Sequence, residues 1–325
     1  MNRLPYSIVD VFSSVPYKGN PLAVVDNTTG SLTKTQMQLI ARQFNLSETT
    51  FICQPIKPGS TYRLRSFLPN GEEVFGAGHN SLGAWWYIVD SKLVELQHME
   101  PTVFHQELGD SVLPVEVAKS AQDEIHITMS QGAPQLLERH PEKWTLAEAL
   151  GINSSAIGFE YNGKVMAQAQ VVTTSPARHL LVPVRDQGTL NRVDFSNSDA
   201  IAQELVKTNS HNSGVYAFTP VGETDGVLNL EARFFSPGMG MEDPATGSAA
   251  GPLAFLLCEN GIVRDLGDGG VEVQVVQGLK KGRECAIRLL VSRDAEANSL
   301  TVRISGTGVL VSEGTLVVPS PDITF

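Results

Sequence analysis

A pattern that occurs twice constrains this chain more than any other feature: RSFLPNGEEVFGAGHNSLGAWW at 65–86 and RFFSPGMGMEDPATGSAAGPLAFLL at 233–257. Aligned on Arg65 and Arg233, Phe67 meets Phe235 and Pro69 meets Pro237. After one inserted residue, Glu73 meets Glu242, Gly78 meets Gly247 and His79 meets Ser248. Each copy reads as a strand, a proline turn, an acidic residue and an apolar helix opened by glycine. A duplicated unit of this kind predicts two similar lobes. The first turn of a helix leaves backbone N–H groups without partners, so each glycine-opened start is an anion-binding element. Two such starts facing each other would frame a carboxylate-binding cleft.

The 325-residue length suits two lobes of ordinary domain size. A formal net charge of −11 and an isoelectric point near 5.1 argue against nucleic acid or an anionic membrane as partner, because both select basic surfaces. No apolar run reaches the roughly 20 residues that span a bilayer. The longest, LGAWWYIV at 82–89, is expected to be a buried helix. The segment MNRLPYSIVDVF lacks the apolar core and cleavage site of a secretory signal, so a cytoplasmic location is the expectation. Cys53, Cys258 and Cys285 are far apart and show no metal-ligand spacing, which suits reduced thiols. GAGHNSLG has glycines before a helix but neither the spacing nor the lysine of a nucleotide-binding P-loop.

Along the chain, residues 6–25 read as two strands around a turn built from Pro16, Gly19, Asn20 and Pro21. The segment LTKTQMQLIARQFN places Met37, Ile40, Ala41 and Phe44 on one helical face, with Thr33 or Thr35 as cap. NLSETTFI follows at 45–52 and puts Glu48 at a helix-to-strand junction. Strands are expected at 61–67, 103–108, 112–118 and 124–129, with a lobe boundary near the KSAQD interruption at 119–123. Helices are expected at 144–150, stopped by Gly151, and at 197–207, capped by Asn197 or Ser198. Further strands are expected at 168–173, 179–183, 214–219, 227–235, 271–276, 284–292 and 299–304, with a final hairpin over 308–318. Many strands and few helices point to mixed, largely antiparallel sheets rather than repeated βαβ units.

Four blocks, DVFSSVPYKGNPLAVV, NLSETTF, FGAGHNSLGA and MEDPATGSAAGPL, occur in order between about residue 8 and residue 257. Together they resemble the phenazine-biosynthesis isomerase (PhzF-like) family, within the diaminopimelate epimerase fold superfamily. The resemblance implies an α+β fold of two pseudo-symmetric lobes, each a curved, mainly antiparallel sheet wrapped around a central helix, with the active site in the cleft between them. The lobes are expected at 1–122 plus 309–325 and at 123–308. It implies that Glu48 is the general acid/base and that His79, Asp243 and Ser248 complete the catalytic set. Asn20, Gly78, Asn80, Thr246 and Gly247 fall at expected substrate-binding positions. It further implies no cofactor and no metal, a small carboxylate-bearing substrate of the dihydro-hydroxyanthranilate type, and a homodimer.

Those residue types suit the chemistry. Moving a proton between carbons needs one group that can take it up and return it, and a carboxylate does both. The carbanion or dienolate formed on the way needs preorganised donors, which helix starts supply. Gly78 and Gly247 allow close approach to those donors. His79 and Ser248 can bond a carboxylate or amine, while Asp243 can orient a protonated amine or the histidine. Each also has a plain structural reading: Glu48 as a solvated cap, His79 as a core histidine, Ser248 as a helix-start residue, Asp243 and Asn20 as turn formers.

Amino-acid epimerases of this fold use a cysteine at each helix start as opposed acid and base, and Ala77 and Thr246 stand at those positions here. Neither side chain can exchange a proton with carbon, so a single-carboxylate mechanism is expected. Many relatives carry cysteine at Ala77. Trp85 and Trp86 are either core or cleft-narrowing, and extra loops are expected around 153–167 and 185–200. Epimerisation with one base, dehydration of a small amino or hydroxy acid, and non-catalytic binding of a metabolite or partner are the competing readings.

Overall fold

The computed structural model describes residues 2–76, 78–97, 100–174, 177–210, 213–263, 270–294 and 299–325. They form two compact units, Met1–Met129 with Ser305–Phe325, and Ser130–Ile304. The second is inserted in the sequence of the first.

The first unit runs β1 (Arg3–Val11), β2 (Asn20–Asn27), α1 (Lys34–Phe44), β3 (Thr49–Cys53), β4 (Tyr62–Phe67), β5 (Glu73–Val74), α2 (His79–Asp90), β6 (Thr102–Leu108), β7 (Ser111–Lys119) and β8 (Ile125–Ser130). In the second unit follow β9 (Gln135–Arg139), α3 (Lys143–Ala149), β10 (Phe159–Tyr161), β11 (Lys164–Met166), β12 (Gln170–Thr173), β13 (His179–Pro183), α4 (Gln187–Arg192) and α5 (Ser198–Val206). Then come β14 (Val215–Thr224), β15 (Val227–Ser236), β16 (Met241–Asp243), α6 (Gly247–Glu259), β17 (Val271–Gln277), β18 (Cys285–Asp294) and β19 (Ser299–Gly306), and finally β20 (Gly308–Val317). The fold is α+β and its ladders are mainly antiparallel, as expected.

The two units repeat one pairing scheme. In the first, β1–β2 is antiparallel, β2–β3 parallel, β3–β4 and β4–β5 antiparallel, β4–β6 parallel and β6–β7 antiparallel. In the second, β12–β13, β13–β14, β14–β15, β15–β16, β15–β17 and β17–β18 follow the same succession of directions. The registers agree as well: Phe67 pairs with Glu73 and Phe235 with Glu242, the pairs matched by the sequence repeat.

In the first unit, strand alternation serves two helices. Phe51 and Phe67 join Leu4 and Val25 beneath Met37, Ile40 and Ala41 of α1. Their neighbours Thr50 and Ser66 face the other way, where Ser66 Oγ accepts a hydrogen bond from Asn80 of α2 at 3.0 Å. Helix α2 is buried from His79 through Val89, which accounts for a sequence apolar on every face. Trp85 and Trp86 are core residues: Trp85 is fully enclosed, stacks on Phe104 at 5.4 Å and donates to Gln106 Oε1 at 3.1 Å. In the second unit α6 is buried along most of its length, while α3, α4 and α5 pack on a cluster that includes Val171, Leu180, Val182, Val215 and Phe235.

Several expectations need correction. The segment expected as a hairpin is one strand, Gly308–Val317, antiparallel to β1. Gly314, within the expected hairpin, pairs with Tyr6 inside the ladder, and a Cβ there would sit 3.0 Å from the Tyr6 ring. It is glycine because an aromatic ring lies over its backbone. The regions expected as extra loops carry the β10–β11 hairpin and α4, and β9 was not expected. KSAQD forms the turn between β7 and β8, with Asp123 N–H on Ser120 O at 2.9 Å. Among the described residues no helix is long and apolar enough to cross a membrane.

Candidate active site

In the first unit the site grows out of the α1–β3 junction. Thr33 starts α1 with a capping box: Gln36 N–H donates to Thr33 Oγ1 at 3.3 Å and Thr33 N–H to Gln36 Oε1 at 2.9 Å. Asn45 ends the helix in the left-handed conformation, φ 52°, which turns the chain toward β3. Glu48 is therefore held just before the first paired residue of that strand, Thr49.

Helix α2 brings His79 to this junction. His79 Nε2 lies 3.2 Å from Glu48 Oε2 and 3.5 Å from Ser47 Oγ, and the histidine is buried. Glu48 Oε2 is turned away from solvent and has no hydrogen-bond partner among the described residues. Its one close polar neighbour is His79 Nε2, at ion-pair distance but without hydrogen-bond geometry, so the pairing depends on the protonation of the imidazole. Asn80 shapes the loop that presents His79. Its Nδ2 donates to Ser66 Oγ and to Gly76 O at 3.0 and 3.1 Å, and its Oδ1 accepts from Gly78 N–H at 3.0 Å. Ala77 lies outside the described residues. Asn20 opens β2 beside Val11 and is buried; the preceding Gly19 has no room for a Cβ, which would meet Val11 O at 2.5 Å.

In the second unit Thr246, Gly247 and Ser248 form the head of α6; Ala249 N–H already bonds Thr246 O at 3.1 Å, while the N–H groups of Gly247 and Ser248 precede any helical carbonyl partner. Asp243 braces this head. Thr246 Oγ1 donates to Asp243 Oδ2 at 2.6 Å, while Gln277 accepts the Thr246 N–H at 3.1 Å and donates to Asp243 O at 2.8 Å. Ser248 is half-buried, and its Oγ is 3.0 Å from His179 Nε2. On its other side His179 Nδ1 lies 2.5 Å from Ser213 Oγ, and the ring stands edge-on to Phe234 with centroids 5.0 Å apart. Burial with no compensating charge pushes the His179 imidazole down to about 4, so it is neutral.

Each unit clamps its helix-bearing turn with an Arg–Glu pair drawn from the repeat. Arg65 donates to Glu73 at 2.7 and 2.8 Å, and Arg233 to Glu242 at 2.8 and 2.9 Å. Such bidentate pairs fix geometry as well as charge. Burial works to raise the Glu73 carboxyl, but Arg65 outweighs it and the group falls below its ordinary value.

The strand registers also expose an asymmetry that the sequence motif hides. Thr49 pairs with Phe67 and Val215 with Phe235, so the counterpart of Glu48 is Gly214 and that of Ser47 is Ser213. A Cβ at Gly214 would meet Phe235 O at 2.4 Å and the Phe234 ring at 2.5 Å. The second unit has no space for a side chain where the first carries its carboxylate. His179 and Ser213 were missed from sequence because neither belongs to the repeat; aligning SETTF with SGVYAF would have found the serine.

Residues 9–314 match the family described as phenazine biosynthesis-like protein. Over 319 residues the chain is 31% identical to the trans-2,3-dihydro-3-hydroxyanthranilate isomerase of Pseudomonas fluorescens, covering 96% of this chain and 99% of that one. A crystal structure of the Bacillus anthracis phenazine biosynthesis protein, PhzF family, superimposes with a TM-score of 0.83 at 25% identity, covering 98% and 100% of the two chains. A hydroxyproline epimerase from Agrobacterium vitis shares the fold at a TM-score of 0.62 and 13% identity, over 98% of this chain and 94% of that one.

Proposed function

The chain belongs to the phenazine biosynthesis-like protein family and is an isomerase, and from that premise we propose that it moves a proton between carbons of a small carboxylate-bearing substrate, with Glu48 as its single acid/base. The observation that supports this most is the buried Oε2 of Glu48, which makes no hydrogen bond of good geometry and lies 3.2 Å from His79 Nε2. A carboxylate held in this way, beside a histidine that can exchange protons with it, is the kind of base that can take a proton from carbon. The electron pair released would shift through the adjoining double bond, and the protonated carboxyl would return the same proton to a second carbon. No atom is gained or lost.

In this reading His79 bonds the substrate group on which charge develops. The second unit, taken by itself, offers an anion-binding helix head at Ser248 and the N–H groups of Gly247 and Ser248, with Thr246 and Asp243 fixing that head. At the counterpart position in the second unit, Gly214, no carboxylate can be accommodated, so the repeat does not supply a second copy of Glu48.

A compound of the trans-2,3-dihydro-3-hydroxyanthranilate type, the substrate in the name of the Pseudomonas relative, is the first to test. Turnover in deuterium oxide should yield an isomer with its double bond moved and label at the newly protonated carbon, in part diluted by internal return. Label confined to the original carbon would indicate epimerisation, and loss of water would indicate dehydration. Either result overturns the proposal.

A further inference from the structure

We propose that His179 is a positioning residue that donates its Nε2 proton to Ser248 Oγ, leaving the Ser248 hydroxyl to donate to the anionic group of the substrate. This rests on the reading of Ser248 as a substrate contact. A neutral imidazole has one donor and one acceptor nitrogen, so two arrangements of the Ser213–His179–Ser248 chain are open. If Nδ1 carries the proton, it donates to Ser213 Oγ, and Ser248 must spend its own proton on Nε2. Ser213 is buried, and among the described residues its Oγ has no partner other than His179, so its hydroxyl proton would then be stranded. The reverse arrangement strands nothing. Ser213 O–H donates to Nδ1, Nε2–H donates to Ser248 Oγ, and the half-buried Ser248 presents a free O–H at the head of α6.

The ring is held from several sides: His179 opens β13 in register with Val172 on β12, and the Phe234 ring lies 5.0 Å away at 87° to it. Burial keeps the imidazole uncharged at neutral pH. The device therefore turns a serine, which can donate or accept, into a dedicated donor at a helix start that already favours anions.

Nitrogen-15 NMR of histidine-labelled protein tests the tautomer, with the His179 signals assigned by their loss in His179→Gln. The neutral Nε2–H form at pH 7 is expected; an Nδ1–H or doubly protonated ring overturns the proposal. Kinetics with trans-2,3-dihydro-3-hydroxyanthranilate provide the second readout. His179→Leu should raise KM several-fold, up to about tenfold, because the neutral hydrogen bond that orients the Ser248 hydroxyl is lost. kcat should stay within about threefold, and His179→Gln, whose amide N–H can reach Ser248, should restore KM. Wild-type KM in His179→Leu sinks the idea. If that variant does not fold, Ser213→Ala serves instead: Nδ1 then has no acceptor for a proton, so the ring should stay Nε2–H with its Nδ1 resonance shifted by the lost hydrogen bond, and an Nδ1–H ring there counts against the proposal. Wild-type protein inactive on this compound would overturn the functional reading alone, and the imidazole spectrum would still decide the tautomer.

Discussion

Glu48 and Gly214 occupy the same register position in the two units, each one residue before the strand residue that pairs with the repeated phenylalanine, Phe67 or Phe235. The repeat therefore duplicates the scaffold and not the carboxylate. Glu48→Gln should lower turnover by roughly 10²- to 10⁴-fold, the usual worth of a general acid/base, without lowering the melting temperature. Spectrophotometric assay alongside a thermal melt would check this, and full activity in the variant would remove Glu48 from the mechanism.

Gly214 cannot be given a side chain cheaply. Gly214→Ala forces a methyl against the Phe235 carbonyl and the Phe234 ring, and should cost about 2 kcal/mol, typical of overpacking. Urea denaturation measures the loss. A neutral outcome would show that the strand can shift and that this position can take a side chain after all.

The Arg–Glu clamps should be indispensable in both units. Removing one partner of a largely buried pair costs about 3 kcal/mol, so Arg65→Met and Arg233→Met should each destabilise by that order. For Glu73 the pH dependence has a definite sign. Its carboxyl is depressed below the usual 4.5, so the stabilisation from Arg65 is present above that value and is lost as pH falls through the lower, folded-state value. The gap between wild type and Arg65→Met should close in acid when denaturation is followed from pH 6 downward.

His179 adds a second acid-sensitive element. Its folded-state value is about 4 against 6.5 for an exposed histidine, so the unfolded chain binds the extra proton first. Stability should fall as pH drops from about 6.5 to about 4, by roughly 3 kcal/mol at most, and His179→Gln should flatten that part of the curve. An identical slope in the variant would show that the ring is already solvated.

Much of this was legible in the sequence where local chemistry decides the outcome. Thr33 and Gln36 announce the start of α1, Asn45 ends it, and Glu48 follows from that boundary. The repeat gave the paired strands and both helix starts, and the Arg–Glu clamps made physical sense of why Arg65, Glu73, Arg233 and Glu242 recur. What escaped was decided by distant neighbours. The stretch around Gly314 reads as a hairpin until Tyr6 is seen lying over that glycine. α4 is six residues long with a glycine in its first turn, and Arg233 supports its end from far along the chain by donating to Leu190 O and Val193 O at 3.0 and 2.6 Å. His179 looks like any strand residue until Ser213 and Ser248 flank it.

The pairing of β20 with β1 has a consequence for how the protein is made. These strands lie at opposite ends of the sequence, with the whole second unit encoded between them, and Val318 N–H reaches Asn2 O at 2.9 Å. During synthesis the second unit has all its strands through β18 before β20 exists, while β1 waits with one edge open. An unpaired strand edge is a template for association with another chain. The nascent protein should therefore be most prone to self-association, and most dependent on chaperones, in the interval before β20 emerges, and a chain stopped short of Gly308 should aggregate although its second unit is intact.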